Sequence, residues 1–177
     1  MLFRSTDLRN YERAGRGFEF TWVDCSELFS QVEESLKRHL EERKVVLRCG
    51  PLPAIVADKK GLARVFSELI QNSVKFRSDH EPHINISSEK QEAGWRFSIR
   101  DNGIGIDPAF SKTIFLPAIR LNSPQKYPGR GIGLPVCKRI VEGHGGEMWV
   151  DSRTGEGATF HFTIPIIARD DHEPLNR

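Results

Sequence analysis

Residues 95–107 read WRFSIRDNGIGID, and the fold turns on that stretch. Phe97 and Ile99 alternate with polar neighbours, the period of a strand with one buried face. The strand runs into Asp101, after which Asn102, Gly103 and Gly105 mark a turn. Upstream, HINISSEK (83–90) alternates in the same way at Ile84 and Ile86, so Gln91–Gly94 joins two strands of a hairpin. Downstream, residues 106–131 are rich in Pro, Gly and Ser and show no period. Irregular stretches of that length are usually lids, binding loops or disorder, so 106–131 is the first suspect for function.

The remaining elements follow outward from that hairpin. FEFTWV (18–23) reads as a half-buried strand with Phe18, Phe20 and Trp22 on one side. Asp24 and Glu27 resemble a capping box opening a helix to about Arg43, with Leu28, Val32, Leu36 and Leu40 on one stripe. KVVLRC (44–49) and PAIVA (53–57) read as short strands, and Asp58 is a good N-cap for a helix from Lys59 to about Arg77. Leu62, Val65, Phe66, Leu69, Ile70 and Ser73 form its apolar face. Another helix is predicted from about Leu134 to Glu142, with Pro135 in its first turn, where a missing N–H costs nothing. GEMWVDS (146–152) and GATFHFTIP (157–165) close the chain as a hairpin. Residues 1–14 read as a short polar helix ending at Gly15-Arg16-Gly17. This order predicts an α+β fold, a two-layer sandwich with a mixed sheet of about five strands and about three helices on one face.

Composition narrows the function classes. The 177 residues suit one domain, and with its 15 glycines the apolar share is roughly 46%, normal for a globular chain. Lys and Arg number 26 against 24 Asp and Glu, so the net charge of +2 implies neither a nucleic-acid surface nor a membrane-binding tail. No window approaches the ~18 apolar residues of a membrane span, and the N-terminus lacks a secretory core. Cys25, Cys49 and Cys137 form no C-x-x-C pair, so a reducing cytoplasm is the expected setting.

Two glycine clusters bracket the suspect loop: Gly103 and Gly105 before it, Gly129, Gly131 and Gly133 after it. Alternate glycines let a backbone approach a ligand closely, and N–H groups leading into a helix can bind phosphate. Strand-end turns use the same residues. Neither cluster matches G-x-x-x-x-G-K-[ST], so a P-loop is excluded. Asp101 is placed to accept from an exocyclic amine, or to shape the Asn-Gly turn. Glu68 and Asn72 share a helix face one turn apart, with Lys75 nearby. Their oxygens suit Mg²⁺ and the lysine suits phosphate, although an ordinary solvated face has the same look.

Together the segments resemble the catalytic domain of sensor histidine kinases, in the GHKL superfamily with its Bergerat-type ATP fold. ELIQNSVKF (68–76) is similar to the N box, and DNGIGID (101–107) and GRGIGL (129–134) to the two glycine boxes. GEGATF (155–160) is similar to the Gly-x-Gly-x-Thr box. IFLP (114–117) and CKRIVEGHGGEMWVDS (137–152) resemble phytochrome-type kinases in particular. The resemblance implies that Asn72 coordinates Mg²⁺, Lys75 contacts phosphate, Phe76 packs by adenine and Asp101 accepts from its amine. It makes 106–131 a mobile ATP lid, with Gly103 and Gly105 allowing close approach, and Gly129, Gly131 and Gly133 as hinge and phosphate-binding amides. Ile106, Arg130, Leu134 and Thr159 complete the implied nucleotide-binding set.

The resemblance has three departures. Glu68 stands where histidine kinases often have Asn, and ATPase and serine-kinase branches of the superfamily use such a Glu as a general base. Ala118 stands where an aromatic usually seats the lid against the dimerisation domain. No histidine has a phosphoacceptor context. The expected organisation is therefore a remnant of a dimerisation helix and linker (1–16), a catalytic ATP-binding domain (17–167) and a polar tail (168–177). ATP and Mg²⁺ are the expected cofactors. The expected partners are a dimerisation and phosphoacceptor domain of the same or a cognate kinase and, indirectly, a response regulator. Two alternatives remain: an inert nucleotide-binding regulatory module, and a stand-alone ATPase or serine kinase using Glu68 as base.

Overall fold

A computed structural model describes residues 17–121, 125, 127 and 130–166. The helix expected over 1–14, the tail at 168–177 and Gly129 lie outside the described residues. The chain forms β1 (Phe20–Asp24), α1 (Cys25–Glu42), β2 (Val46–Cys49), β3 (Ala54–Asp58) and α2 (Lys59–Lys75). It continues through β4 (His83–Lys90), β5 (Gly94–Asp101), α3 (Gly133–Gly143), β6 (Met148–Ser152) and β7 (Ala158–Pro165). Short 3-10 turns occupy Pro108–Phe110 and Thr113–Phe115 between β5 and α3.

Five strands form one sheet in the order β2-β4-β5-β7-β6. The β2–β4 pair is parallel and the other pairs are antiparallel, so the sheet is mixed as expected. The other two predicted strands leave it: β1 and β3 pair with each other, antiparallel, with Phe20 opposite Asp58 and Asp24 opposite Ala54. Each of these strands ends in the aspartate that caps the next helix. Asp24 Oδ1 accepts from the N–H groups of Ser26 and Glu27 at 2.8 and 3.1 Å. Only half of the expected capping box forms, because Glu27 Oε1 accepts a hydrogen bond from Gln31 Nε2 at 3.0 Å rather than reaching back.

The buried side of β1 differs from the prediction. Val23 is buried at 3% exposure while Trp22 is 67% exposed. Pairing with β3 outside the main sheet leaves only the C-terminal end of β1 over the core. Phe18 and Phe20 instead pack on the His144 ring, at centroid distances of 4.8 and 5.2 Å.

The core lies between the helices and one face of the sheet. In β7, Ala158, Phe160, Phe162 and Ile164 are buried in strict alternation, which puts them on the helix side. The apolar face of α2 is buried along its length, Ser73 included. Phe66 on α2 is fully buried and stands edge-on to Phe29 of α1 (5.8 Å), Phe97 of β5 (5.8 Å) and Phe162 of β7 (5.7 Å). Edge-to-face contacts of this kind add stability beyond area burial. Replacing Phe66 by Ala is expected to lower unfolding stability by about 3–5 kcal/mol, read from urea melts at pH 7. A loss under about 1 kcal/mol would show that the ring does not hold the layers together.

Candidate active site

The C-terminal ends of α2 and β5 meet at Asp101. This carboxylate is only 8% exposed. Its Oδ1 accepts from Gly103 N–H at 2.9 Å and Ala158 N–H at 3.2 Å. Ser73 Oγ lies 3.1 Å from both Oδ2 and the Leu69 carbonyl, and its one proton can go to either. Burial pushes the Asp101 carboxyl above the usual carboxylate range, and the donors from Gly103, Ser73 and Ala158 pull it back. Among the described residues no Lys, Arg or His forms an ion pair with it. A carboxylate offers about four lone-pair sites, so Oδ2 retains room for a further donor.

The turn after Asp101 is braced by the protein itself. Asn102 Oδ1 accepts from His83 N–H at 2.8 Å and its Nδ2 donates to the Glu81 carbonyl at 2.8 Å. Ile104 N–H donates to the Phe76 carbonyl at 2.9 Å, beside Gly103. Gly105 has φ +69°, and a Cβ there would lie 1.9 Å from the Arg153 carbonyl. Only glycine fits between the two turns, which is a reason for this residue independent of any ligand. Ile106 N–H donates to Ser152 Oγ at 2.8 Å.

Helix α2 stops at Lys75, two residues before the predicted end, with Phe76 as its C-cap. Lys75 Nζ lies 4.7 Å from the Phe76 ring centroid. Partial burial and the nearby Arg120 guanidinium hold the Lys75 ammonium below its usual range, and Glu68 acts the other way. Two cations brought near each other in this way favour an anion between them.

Glu68 and Asn72 converge on the first residue of α3. A Cβ on Gly133 would lie 2.5 Å from Glu68 Oε2 and 3.9 Å from Asn72 Nδ2. Gly133 is therefore a close-approach residue at the start of the helix. Glu68 Oε1 also lies 3.9 Å from Arg64 Nε, with both side chains partly exposed, so the pair contributes at most about 1 kcal/mol. Leu134 follows in the first turn of α3, half-buried against the core, and Arg130 precedes it, exposed. Gly131, also at positive φ, accepts from Ala118 N–H at 3.1 Å, which ties the two ends of the loop.

The loop is not uniform. Ile114 and Phe115 are buried, and Phe115 packs edge-on to Phe160 at 6.5 Å. That anchors the first half of the predicted lid to the core. Leu116, Ile119 and Leu121 beyond it are exposed.

Thr159 does not lie on the buried side of its strand: the alternation that buries Ala158 and Phe160 turns it to the opposite face of the sheet. It lines a cleft of about 500 Å³ that Asp101, Ile106 and Ala158 also line, together with Arg100, Asp107 and Arg153. The neighbour that does reach Asp101 is Ala158, through its backbone N–H, and no side-chain signal announces that contact. Ser73 was legible only as part of an apolar face. Arg120 and Tyr127, in the loop, carried no sequence signal.

A family model for histidine kinase-, DNA gyrase B- and HSP90-like ATPases matches residues 57–168, the span that holds all of these contacts. The chain belongs to this family. Phytochrome-like protein Cph1 of Synechocystis sp. is 41% identical over 161 residues, covering 90% of this chain. The chain spans 22% of the length of that relative. Among solved structures, the catalytic domain of histidine kinase ThkA superposes with a TM-score of 0.72 at 26% identity, over 84% of this chain and 98% of that one. Full-length ShkA in complex with AMPPNP gives 0.77 at 26% identity, over 92% and 36%. The chain is thus similar to histidine kinase catalytic domains, and the α+β fold expected from the sequence is the fold of this HATPase chain. Among the described residues no helix is long and apolar enough to cross a membrane.

The raised Asp101 carboxyl has a measurable consequence. A folded state that holds its proton more tightly than the unfolded chain is favoured at low pH. Its stability contribution falls as pH climbs from the ordinary carboxyl value of 3.8 through the raised folded value. Asn at this position keeps an oxygen for Gly103 and Ala158 and can donate to Ser73. The parent should therefore lose stability relative to Asp101→Asn as pH rises from about 4 to 7, seen as the difference between urea melts. A flat difference curve would remove the assignment of a raised value.

Proposed function

We propose that the chain is the ATP-binding catalytic unit, within residues 17–167, of a two-component sensor histidine kinase. In this reading it presents the γ-phosphate of Mg·ATP to a histidine on a dimerisation and phosphoacceptor domain of the same or a cognate kinase. The observation that carries it is the buried Asp101 carboxylate, without an ion-paired cation among the described residues and with a lone pair to spare. An exocyclic amine is the donor that such a site fits, and adenine has one. Phe76 offers an apolar ring beside it. The near-complete coverage of the ThkA catalytic domain and the AMPPNP bound by ShkA support the same reading.

The oxygens of Asn72 and Glu68 suit a hard cation, since Mg²⁺ takes oxygen ligands from one or two side chains and from phosphate. Held there, Mg²⁺ would supply positive charge to offset that of the phosphates. Lys75 adds a point charge for phosphate, relieved of its repulsion by Arg120 when an anion arrives. Gly133 begins α3 beside Glu68 and Asn72, and backbone N–H groups at such a helix start suit phosphate oxygens. The protein does no covalent chemistry in this scheme; it positions the group and neutralises charge. The placement of Glu68 Oε2 against Gly133, next to Asn72, supports a further role as base toward the incoming nucleophile. A response regulator would receive the phosphoryl group later, and a cytoplasmic location goes with this use of ATP.

Calorimetric titration with ADP and a non-hydrolysable ATP analogue, with and without Mg²⁺, tests the assignment. Asp101→Asn is expected to weaken binding more than tenfold, about 1.4 kcal/mol. Equal binding by the mutant would sink the adenine assignment. Label from the γ-phosphate is then followed to a dimerisation domain supplied in trans. Binding without transfer would favour an inert regulatory module. Glu68→Gln is expected to slow transfer by about 10²-fold with ADP affinity little changed, and an unchanged rate would remove its role as base.

A further inference from the structure

Tyr127 lies in the loop yet is only 9% exposed. Its ring packs on Phe76 with centroids 5.0 Å apart and planes inclined by 40°. Its carbonyl accepts from Arg120 Nη2 at 2.7 Å, and Arg120 is the cation that bears on Lys75. Lys75 Nζ in turn sits 4.7 Å from the centre of the Phe76 ring. Phe76 and Lys75, proposed above for the base and the phosphates, thus each face one residue of the loop, Tyr127 and Arg120. A planar base between the two rings would need about 7 Å, two layers of roughly 3.5 Å. The observed 5.0 Å does not admit it.

We propose that Tyr127 is a built-in competitor for the nucleotide base: its ring covers Phe76, and a purine nucleotide binds by displacing it. This rests on the assignment of Phe76 and Asp101 to the base site. Because the Arg120 side chain holds the Tyr127 carbonyl, releasing the tyrosine also frees the guanidinium to meet phosphate. Ring displacement and phosphate capture are then one event, and loop position is coupled to occupancy through two named side chains.

Calorimetry on the full 177-residue chain with ADP decides the matter. Removing an aromatic contact that binding must break should tighten binding, so Tyr127→Ala is expected to lower the Kd of ADP about three- to tenfold. Tyr127→Phe keeps the ring and should stay within about twofold of the parent. In a Phe76→Ala background the gain from Tyr127→Ala should vanish, since no contact is left to displace. Weaker binding by Tyr127→Ala would overturn the proposal and make the tyrosine a contact of the bound state. Unchanged binding would overturn it too. Urea melts of the parent, Tyr127→Ala, Phe76→Ala and the double variant without nucleotide give an independent readout. Non-additive losses support the ring contact, and additive losses overturn it. Binding by the parent without tightening in Tyr127→Ala sinks only this proposal. No ADP binding by either protein sinks the base-site assignment with it.

Discussion

A single buried carboxylate ties the working parts of this molecule together. Asp101 ends β5, takes one N–H from its own turn at Gly103 and another from Ala158 at the start of β7, and meets the hydroxyl of Ser73 on α2. A charge at 8% exposure is costly unless hydrogen-bonded, and every donor it uses comes from a different stretch of chain. Moving any of the three would leave the carboxylate short of a partner. The constraint also runs outward. Ala158 can reach Asp101 only if Gly157, one residue earlier, brings its backbone against the Asp101 carbonyl, where a Cβ would lie 2.1 Å away. The glycine boxes therefore serve the fold first, by letting two turns share the space around one acid.

The strand alternation and helix stripes were legible in the sequence because the main sheet and α2 bury one continuous face. Residues 83–87, 97–101 and 158–165 each alternate, and the structure keeps that register. FEFTWV misled because periodicity reports that a face is apolar and not what covers it. The stretch runs onto a two-stranded ribbon, where Phe18 at the core's edge and exposed Phe20 meet a histidine more than a hundred residues away. Local spacing cannot contain a contact of that range.

The site divides in the same way. Glu68, Asn72 and Lys75 share one helix that Phe76 caps, so their spacing alone places them together. Asp101 was legible as the end of an alternating strand. Thr159 was placed by its motif, and the pleat sends its side chain to the other face, leaving the contact with Asp101 to a backbone N–H that no residue type encodes. Tyr127 and Arg120 escaped because a loop has no period, and their positions follow only from the three-dimensional path of the chain.

The two ends of α3 are each held against α2. At its C-terminus His144 is buried, with Nδ1 donating to the Ile140 carbonyl at 2.8 Å and Nε2 accepting from Asp58 N–H at 2.9 Å. Asp58 is the N-cap of α2, where its Oδ1 takes Gly61 N–H at 2.6 Å, and its Oδ2 takes Glu19 N–H at 3.0 Å. At the other end Gly133 lies against Glu68 in the middle of α2. Helix α3 is thus fixed to α2 at both ends, and between them Val136, Cys137, Ile140 and Val141 are buried in the core. Displacing the helix would break a buried histidine hydrogen bond and open apolar surface at once, each at a cost of kilocalories. Among the described residues between Phe115 and α3, Leu116, Ile119 and Leu121 are exposed and add little to that burial, whereas Tyr127 is buried. Gly131, at φ +69°, turns the backbone into the fixed start of α3 while its carbonyl accepts from Ala118 N–H, so the entry to the helix is set by backbone contacts and not by apolar packing.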